Sequence, residues 1–267
     1  MTHNDEPPSK IAKISSNTLE VIPILDDKFT ADEVPSTSFY AAIVPDRKLI
    51  GKFIKKLPPL PEKFAHLKRV AKDGRLLIAE TEETAKEIVT DLGIDLQLLK
   101  IEVPVKKPFT RRQFSHAKEL WPTGFHPDEA LENKLSGQAW TDLLNVMLEL
   151  SNRAERVGCI LVKDNEEVCS GSKSSKLLGH PVMVMIENAS RMKPRDDIYL
   201  GNGCDVYLAD EPCQMCAMAL VHFRVARVFF NKKSTNGTLD KPNWQLHLEP
   251  CINHHYEVYR LRVCDDH

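Results

Sequence analysis

The protein has 267 residues, of which 42% are hydrophobic and 28% are charged, and its formal net charge is −2. These ordinary globular values exclude a disordered, collagenous or coiled-coil chain. The sequence has no apolar stretch of the roughly 18 residues that a membrane span needs, no signal peptide at its start, and an odd number of cysteines, seven. We therefore expect a soluble intracellular protein without membrane association, in which clustered cysteines bind a metal or take part in catalysis.

The N-terminal part predicts a disordered tail, residues 1–16, and then a small α/β or α+β domain at residues 17–105. Asp46 and Thr81 are predicted to begin helices, and Gly93 is predicted to end the second of them. The predicted strands are 19–25, 38–44, 75–79 and 96–105, and the predicted helices are 46–56, 62–72 and 81–93.

The C-terminal part begins after residues 106–127, where prolines and aromatic residues without periodicity predict an ordered linker. Residues 128–267 regain an apolar pattern. Their predicted helices are 137–156, 180–189 and 213–222, and their predicted strands are 158–162, 166–170, 205–208 and 226–230. This alternation predicts a three-layer α/β domain, with helices packed on a central mixed sheet.

A metal site is indicated by Cys213 and Cys216, which follow Pro212, and by His180 upstream. Two thiolates three positions apart at a helix start lie on one turn, so they can share a tetrahedral Zn²⁺ ion with an imidazole. The helix N-terminus also stabilises the negative sulfur atoms. A redox pair or two buried thiols remain alternative interpretations of the cysteine spacing alone.

The fourth position around the ion is open in this pattern. Water can occupy it, and so can a group from the C-terminal end of the chain, such as Asp265, Asp266 or His267. The alternative for these terminal residues is a frayed end without a ligand role.

The same residues match the zinc-deaminase pattern H-x-E … P-C-x-x-C, with one exception. Val182 stands in place of the Glu that carries protons between the metal-bound water and the base. Loss of a general acid/base costs roughly 10²–10⁴-fold in rate. Glu187 lies too far along the helix to substitute, and Glu211 occupies a corner that is more often structural. We therefore predict no catalytic residue.

Three segments resemble the non-catalytic subunit of the eukaryotic heterodimeric tRNA wobble-adenosine deaminase, a member of the cytidine/deoxycytidylate deaminase superfamily. The first surrounds Pro212-Cys213-Gln214-Met215-Cys216, the second contains Trp121-Pro122, and the third is Cys251-Ile252-Asn253-His254-His255. In that family the catalytic Glu is characteristically replaced by Val, as at Val182. The resemblance is strong over residues 108–262.

The resemblance implies a cytidine-deaminase-like zinc domain at residues 128–267 in a catalytically inactive subunit. Such a subunit pairs with an active deaminase subunit that makes inosine at the wobble position of tRNA, in nucleus and cytoplasm. Apolar residues 183–186, Met215, Met218 and Leu220 are then either core or subunit interface. Two other functions remain open: an autonomous nucleoside or nucleobase deaminase with a displaced proton carrier, and a structural zinc scaffold.

Two basic stretches suggest contact with tRNA phosphates, although each alone is also typical of a solvated helix face. Residues 46–75 hold ten basic and three acidic residues, and residues 100–118 hold six and one. Phe114 and Trp121 could stack on bases, but we favour the interpretation that both are buried aromatic residues. The candidate tRNA-binding residues are Lys52, Lys55, Lys56, Lys106, Lys107, Arg111 and Arg112.

Overall fold

The structure is a computed structural model that describes residues 18–44, 46–93, 96–192 and 200–264. It contains two compact units, each named here after its sheet. The six-stranded unit combines the first described strand with the chain from Gly137 onward, and the three-stranded unit spans Leu25–Ser136. Across the described ranges, no helix has both the length and the apolar composition of a membrane span.

The strands follow the chain in this order: β1 (Thr18–Pro23), β2 (Ser36–Ile43), β3 (Arg75–Ala79), β4 (Leu98–Pro104), β5 (Cys159–Lys163), β6 (Glu166–Gly171), β7 (Asp205–Asp210), β8 (Arg227–Lys232) and β9 (Glu257–Cys264). The α-helices are α1 (Asp27–Thr30), α2 (Arg47–Lys56), α3 (Glu82–Leu92), α4 (Arg111–Leu120), α5 (Glu129–Ser136), α6 (Leu144–Val157), α7 (Pro181–Arg191) and α8 (Gln214–Phe223). Short 3₁₀ helices cover Glu62–Phe64, Gln138–Leu143 and Leu246–Leu248.

The six-stranded sheet has the order β1-β9-β8-β7-β5-β6 and is mixed. Strands β7, β8 and β9 are parallel, and the other neighbours are antiparallel. Side chains alternate between faces along a strand, so Cys159 and Leu161 pack on one face with α7 and α8 residues, and Ile160 and Val162 pack on the other with α6 residues. The predicted three-layer α/β fold is therefore confirmed.

The three-stranded sheet has the antiparallel order β3-β2-β4, and apolar side chains cover both faces. On one face, residues of α2 and α3 such as Phe53 and Val89 pack with Leu76. On the other, Phe64 and Trp121 pack with Leu77. This small unit therefore has its own core, as expected for the predicted α/β or α+β domain.

The predicted helix ends in this unit have the expected caps. The Asp46 carboxylate accepts a hydrogen bond from the Lys48 backbone N–H at 2.9 Å, and the Thr81 hydroxyl accepts one from the Thr84 N–H at 3.4 Å. Gly93 ends α3 with a φ of 72°, a left-handed conformation that glycine adopts without strain.

The domain ranges predicted from the sequence differ from the observed units at three places. Residues 128–136, predicted as the start of the C-terminal domain, belong to the three-stranded unit. Strand β1, placed in the domain 17–105, pairs along its length with β9 and so belongs to the six-stranded sheet. Residues 106–127, interpreted as a linker, contain α4, which begins at the Thr110 cap and buries only Gln113 and Ala117. A helix that buries two side chains leaves no apolar stripe in the sequence.

Further elements differ from the prediction. Helices α1 and α5 were not predicted, and the helix predicted at 137–156 is the 3₁₀ helix Gln138–Leu143 followed by α6. The helix predicted at 62–72 is only the 3₁₀ turn Glu62–Phe64, and residues 67–71 instead make bridges and backbone hydrogen bonds to neighbouring segments. Strand β9 was not predicted, although it lies between β1 and β8 in the middle of the sheet order.

We predict that Gly171→Ala destabilises the six-stranded unit by roughly 1–3 kcal/mol through overpacking. A Cβ atom at Gly171 would lie 2.2 Å from the Pro181 carbonyl oxygen and 2.4 Å from the Met185 backbone nitrogen, and neither can move without shifting α7. Chemical denaturation of the full chain measures the loss.

The matched control is Gly51→Ala in the interior of α2, where an added Cβ meets nothing within 4 Å. This variant should gain roughly 0.5–1 kcal/mol from helix propensity. Wild-type stability of Gly171→Ala would contradict the close approach of α7 to β6.

Candidate metal centre

Three side chains with metal-binding atoms meet in the six-stranded unit. The Nδ1 atom of His180 lies 3.5 Å from the Sγ atom of Cys213 and 3.4 Å from the Sγ atom of Cys216. All three ligand atoms lie within 4.8 Å of one another. Zinc–sulfur bonds of about 2.3 Å and zinc–nitrogen bonds of about 2.0–2.1 Å place N and S roughly 3.6 Å apart around a tetrahedral ion. The observed distances therefore fit such an ion.

Two helix N-termini bring these side chains together. His180 is the residue before α7, and Pro181 occupies the first turn of that helix, where its missing N–H needs no partner. Cys213 is the residue before α8, and Cys216 lies in the first turn. Helices α7 and α8 pack against each other and share the same apolar core. The thiols thus lie at the positive end of a helix dipole.

The chemistry of the donor set also fits a bound cation. Burial, with the neighbouring Cys213 second, raises the pKa of the Cys216 thiol to about 12. Without a cation, Cys216 would therefore remain protonated at neutral pH. A divalent ion between the two sulfur atoms reverses this effect, because a coordinating thiol is deprotonated by the metal.

Position 182 belongs to the hydrophobic core. Val182 is 3% exposed and shares an apolar cluster with Met185 and Cys216. It has no proton to exchange, and among the residues described no Asp or Glu joins the three ligands. Within the described ranges, the cluster therefore consists of three possible metal ligands without a neighbouring carboxylate.

Glu211, one of two carboxylates weighed as a substitute, is a structural residue. It is 4% exposed and accepts backbone hydrogen bonds from Leu239 and Asp240 at 2.8 Å and from Ser234 at 3.3 Å. Gly237 lies against it, since an added Cβ there would be 2.2 Å from the carboxylate. The structural interpretation of Glu211 is confirmed: its oxygens hold the loop 234–240.

Glu187, the other carboxylate, pairs with Arg191 one turn further along α7 and with Lys176 at 3.9 Å. It does not join the metal-ligand cluster. Asp265, Asp266 and His267, predicted as sources of a fourth ligand, lie outside the described residues.

The apolar residues beside the ligands are mainly core. Met185 is fully buried, and Met183, Met215 and Met218 are half-buried against the same cluster. By contrast, Leu177 and Leu178, which precede His180, are 94% and 54% exposed.

The predicted tRNA-binding residues all belong to the three-stranded unit and all are exposed. The lysines lie on α2 or just before α4: Lys52, Lys55, Lys56, Lys106 and Lys107. The arginines on α4 are already paired, Arg111 with Glu129 and Arg112 with Asp32 at 3.1 Å. Among the described residues, the five lysines have no ion pair, whereas both arginines do.

The two aromatic residues considered for base stacking differ. Trp121 is fully buried and donates its Nε1–H to the Lys68 carbonyl at 2.7 Å, so its interpretation as a core residue is confirmed. Phe114 is half-buried and stacks on Phe125, with ring centroids 4.8 Å apart.

Comparison with known proteins places this site in a family. The family model "Cytidine and deoxycytidylate deaminase zinc-binding region" matches residues 139–232. A tRNA-specific adenosine deaminase of Aquifex aeolicus is 34% identical, over 41% of this chain and 75% of the relative. The chain therefore belongs to the tRNA-specific adenosine deaminase family, as the motifs suggested, and its residues 139–232 match the cytidine and deoxycytidylate deaminase zinc-binding region.

Relatives that match over more of the chain carry more particular names. A "probable inactive tRNA-specific adenosine deaminase-like protein 3" of Danio rerio is 27% identical, over 94% of both chains. A "tRNA-specific adenosine deaminase subunit tad3" of Schizosaccharomyces pombe is 26% identical, over 69% of this chain and 67% of the relative. A solved chain from a study of A-to-I editing by tRNA:A34 deaminases is 22% identical, with a TM-score of 0.35, over 42% of this chain and 95% of that chain.

We predict that Glu211→Gln lowers the free energy of unfolding by roughly 1.5–3 kcal/mol, the range for hydrogen bonds to charged groups. The amide loses the negative charge that three backbone N–H groups share. Thermal unfolding of the full chain measures the effect.

Glu187→Gln is the control, because it makes the same change at a partly exposed side chain of α7 and should stay within about 0.5 kcal/mol of wild type. If Glu211→Gln kept its stability, the structural role of this carboxylate would be wrong.

Proposed function

We propose that this protein is the catalytically inactive, zinc-binding subunit of a tRNA adenosine deaminase that converts wobble adenosine to inosine. It pairs with an active deaminase subunit and helps to bind tRNA. The observation that carries the proposal is the cluster of three metal-binding side chains beside a buried Val182. The names of the relatives, "inactive" in one case and "subunit" in another, support it.

In this proposal His180, Cys213 and Cys216 hold Zn²⁺, and its role is structural. The ion joins the N-termini of α7 and α8, so its binding energy contributes to folding. When bound in an active deaminase, zinc activates water. Here that chemistry lacks a proton carrier, since Val182 cannot supply one.

Pairing with an active subunit is supported by apolar side chains that are exposed to solvent. Leu177 and Leu178 are the most exposed leucines of the described residues and lie directly before the ligand His180. Exposed apolar residues in a cluster are typical of a protein interface. A role in tRNA editing places the protein in nucleus and cytoplasm.

Reconstitution tests the function. The chain alone, the active subunit alone and the complex are each incubated with a tRNA transcript carrying adenosine at the first anticodon position, and inosine is measured. We expect full activity only from the complex. Inosine formed by this chain alone would contradict the proposal and favour an autonomous deaminase.

Val182→Glu in the isolated chain should remain inactive. The new carboxylate replaces a side chain that is 3% exposed within the core, so it costs stability without creating a substrate site. Val184→Glu adds the same group at a half-exposed position of α7 and serves as the control for stability. Robust tRNA deamination by isolated Val182→Glu would refute this expectation.

Metal analysis tests the ligand set. The purified full chain should contain about one zinc per molecule, and Cys213→Ser or Cys216→Ser should lose it and melt at a lower temperature. Cys251→Ser changes an exposed free thiol and should keep the metal. Equal zinc content in all four proteins would show that the ion binds elsewhere.

A further inference from the structure

The two basic stretches of the sequence meet at one cavity in the three-stranded unit. Its volume is about 420 Å³, within the usual range of ligand pockets. Lys68, Lys72 and Arg75 come from the first stretch, and Lys118 comes from the second. None of these belongs to the set of tRNA-binding residues predicted from the sequence, so the fold adds a feature that charge counting did not locate.

Backbone hydrogen bonds fix the walls of this cavity. The Lys68 N–H donates to the Pro122 carbonyl at 2.9 Å, and the Gly124 N–H donates to the His66 carbonyl at 2.8 Å. Trp121 Nε1–H donates to the Lys68 carbonyl at 2.7 Å from a fully buried ring. The segment around Lys68 is therefore held against the segment that follows α4, and the cavity is preformed.

The cations of the cavity are only partly neutralised. The Asp73 carboxylate forms an ion pair with Arg75, whose Nε atom lies 2.6 Å from Oδ2 of Asp73. The Arg75 guanidinium also lies 5.3 Å from the centre of the Trp121 ring. Lys68, Lys72 and Lys118 are exposed, and no carboxylate of the described chain lies within ion-pair distance of them. Glu119 is the other acid that lines the cavity.

Arg69 adds to the positive charge of this region. Its Nε and Nη2 atoms are buried, and within the described ranges they have no hydrogen-bond partner. Burial lowers the pKa of this guanidinium, although it stays charged at neutral pH.

An aromatic ring completes the lining. Phe114 and Lys118 are four residues apart on α4, so they share one face of the helix. Phe125 stacks parallel to the Phe114 ring and fixes its orientation. Lysines beside a half-exposed aromatic ring are the combination by which proteins bind unpaired nucleotides: the phosphate is paired and the base is stacked.

We propose that this cavity binds an unpaired nucleotide of the RNA substrate, with Lys68, Lys72 and Lys118 at the phosphates and Phe114 against the base. The inference rests on the proposed function, because it takes tRNA as the source of that nucleotide. The exposed lysines of α2, by contrast, form an open helix face that is suited to phosphates alone.

The test measures binding by the complex of full chain and active subunit. The probes are a labelled tRNA transcript, a labelled seven-nucleotide oligouridylate and free adenosine 5′-monophosphate. The variants are Lys72→Ala/Lys118→Ala, its charge-retaining partner Lys72→Arg/Lys118→Arg, and Phe114→Leu. Lys86→Ala on α3, outside both basic stretches, is the control. Thermal unfolding verifies that each variant is folded.

We expect the double alanine variant to weaken binding of both RNA probes and to reduce the single-strand salt slope by about 1.4, or about 0.7 for each phosphate contact. The double arginine variant should restore both. Phe114→Leu should weaken oligouridylate binding about fivefold or more, since it removes a stacking surface. Lys86→Ala should leave every measurement unchanged.

The outcomes separate the cavity from the proposed function. If the cavity variants bind RNA normally and Lys52→Ala/Lys55→Ala/Lys56→Ala weakens binding, the cavity proposal is wrong and tRNA binding by this chain stands. If the cavity variants lose only adenosine 5′-monophosphate, the site takes a free nucleotide and the RNA proposal is overturned. If the active subunit alone binds tRNA as tightly as the complex, both fail.

Discussion

The close approach of α7 to β6 is the constraint on which the metal-ligand cluster depends. Gly171 lacks the side chain that would collide with the backbone of Pro181 and Met185, and this absence lets the start of α7 reach the position where His180 faces the two thiols. The two cysteines are brought together without tertiary packing, because Cys213 and Cys216 share one helical turn. The ligand set therefore combines a local pair with one residue that only tertiary packing positions.

Val182 shows what the loss of the acid/base residue does to the site. The side chain after Pro181 packs with Met185 and Cys216 instead of facing a substrate. A carboxylate there would be desolvated at a cost in free energy, because it would lie in the core beside the buried Cys216 thiol. With valine, the surroundings of the ligands become part of the core. Glu211 cannot act in place of the missing carboxylate, because its oxygens accept hydrogen bonds from three backbone N–H groups.

How far the sequence predicts this structure depends on the range of each signal. Asp46, Thr81 and Gly93 act on neighbouring backbone, and the helices they bound were predicted near their observed ends. Cys213 and Cys216 were predicted as ligands because their spacing is local, and His180 was predicted because it belongs to the same specific motif; the structure brings the three side chains together. The pairing of β1 with β9 joins residues more than 200 positions apart, so no local sequence pattern predicts it. Helix α4 escaped prediction because it buries too few residues, and the contact of Gly237 with Glu211 has no sequence signal.

The same distinction applies to the basic stretches. A count of charges treats every lysine and arginine alike, whereas affinity for phosphate depends on which cations keep their charge unneutralised. The fold pairs Arg111 and Arg112 with acids and leaves Lys68, Lys72 and Lys118 unpaired around one cavity. An arginine already held by a carboxylate must break that pair before it binds RNA, which reduces its net contribution. In the cavity proposed above, the cations for a phosphate are therefore set by the tertiary pairing of charges. Three of them come from the first basic stretch and one from the second, so a count of charges alone does not locate the cavity.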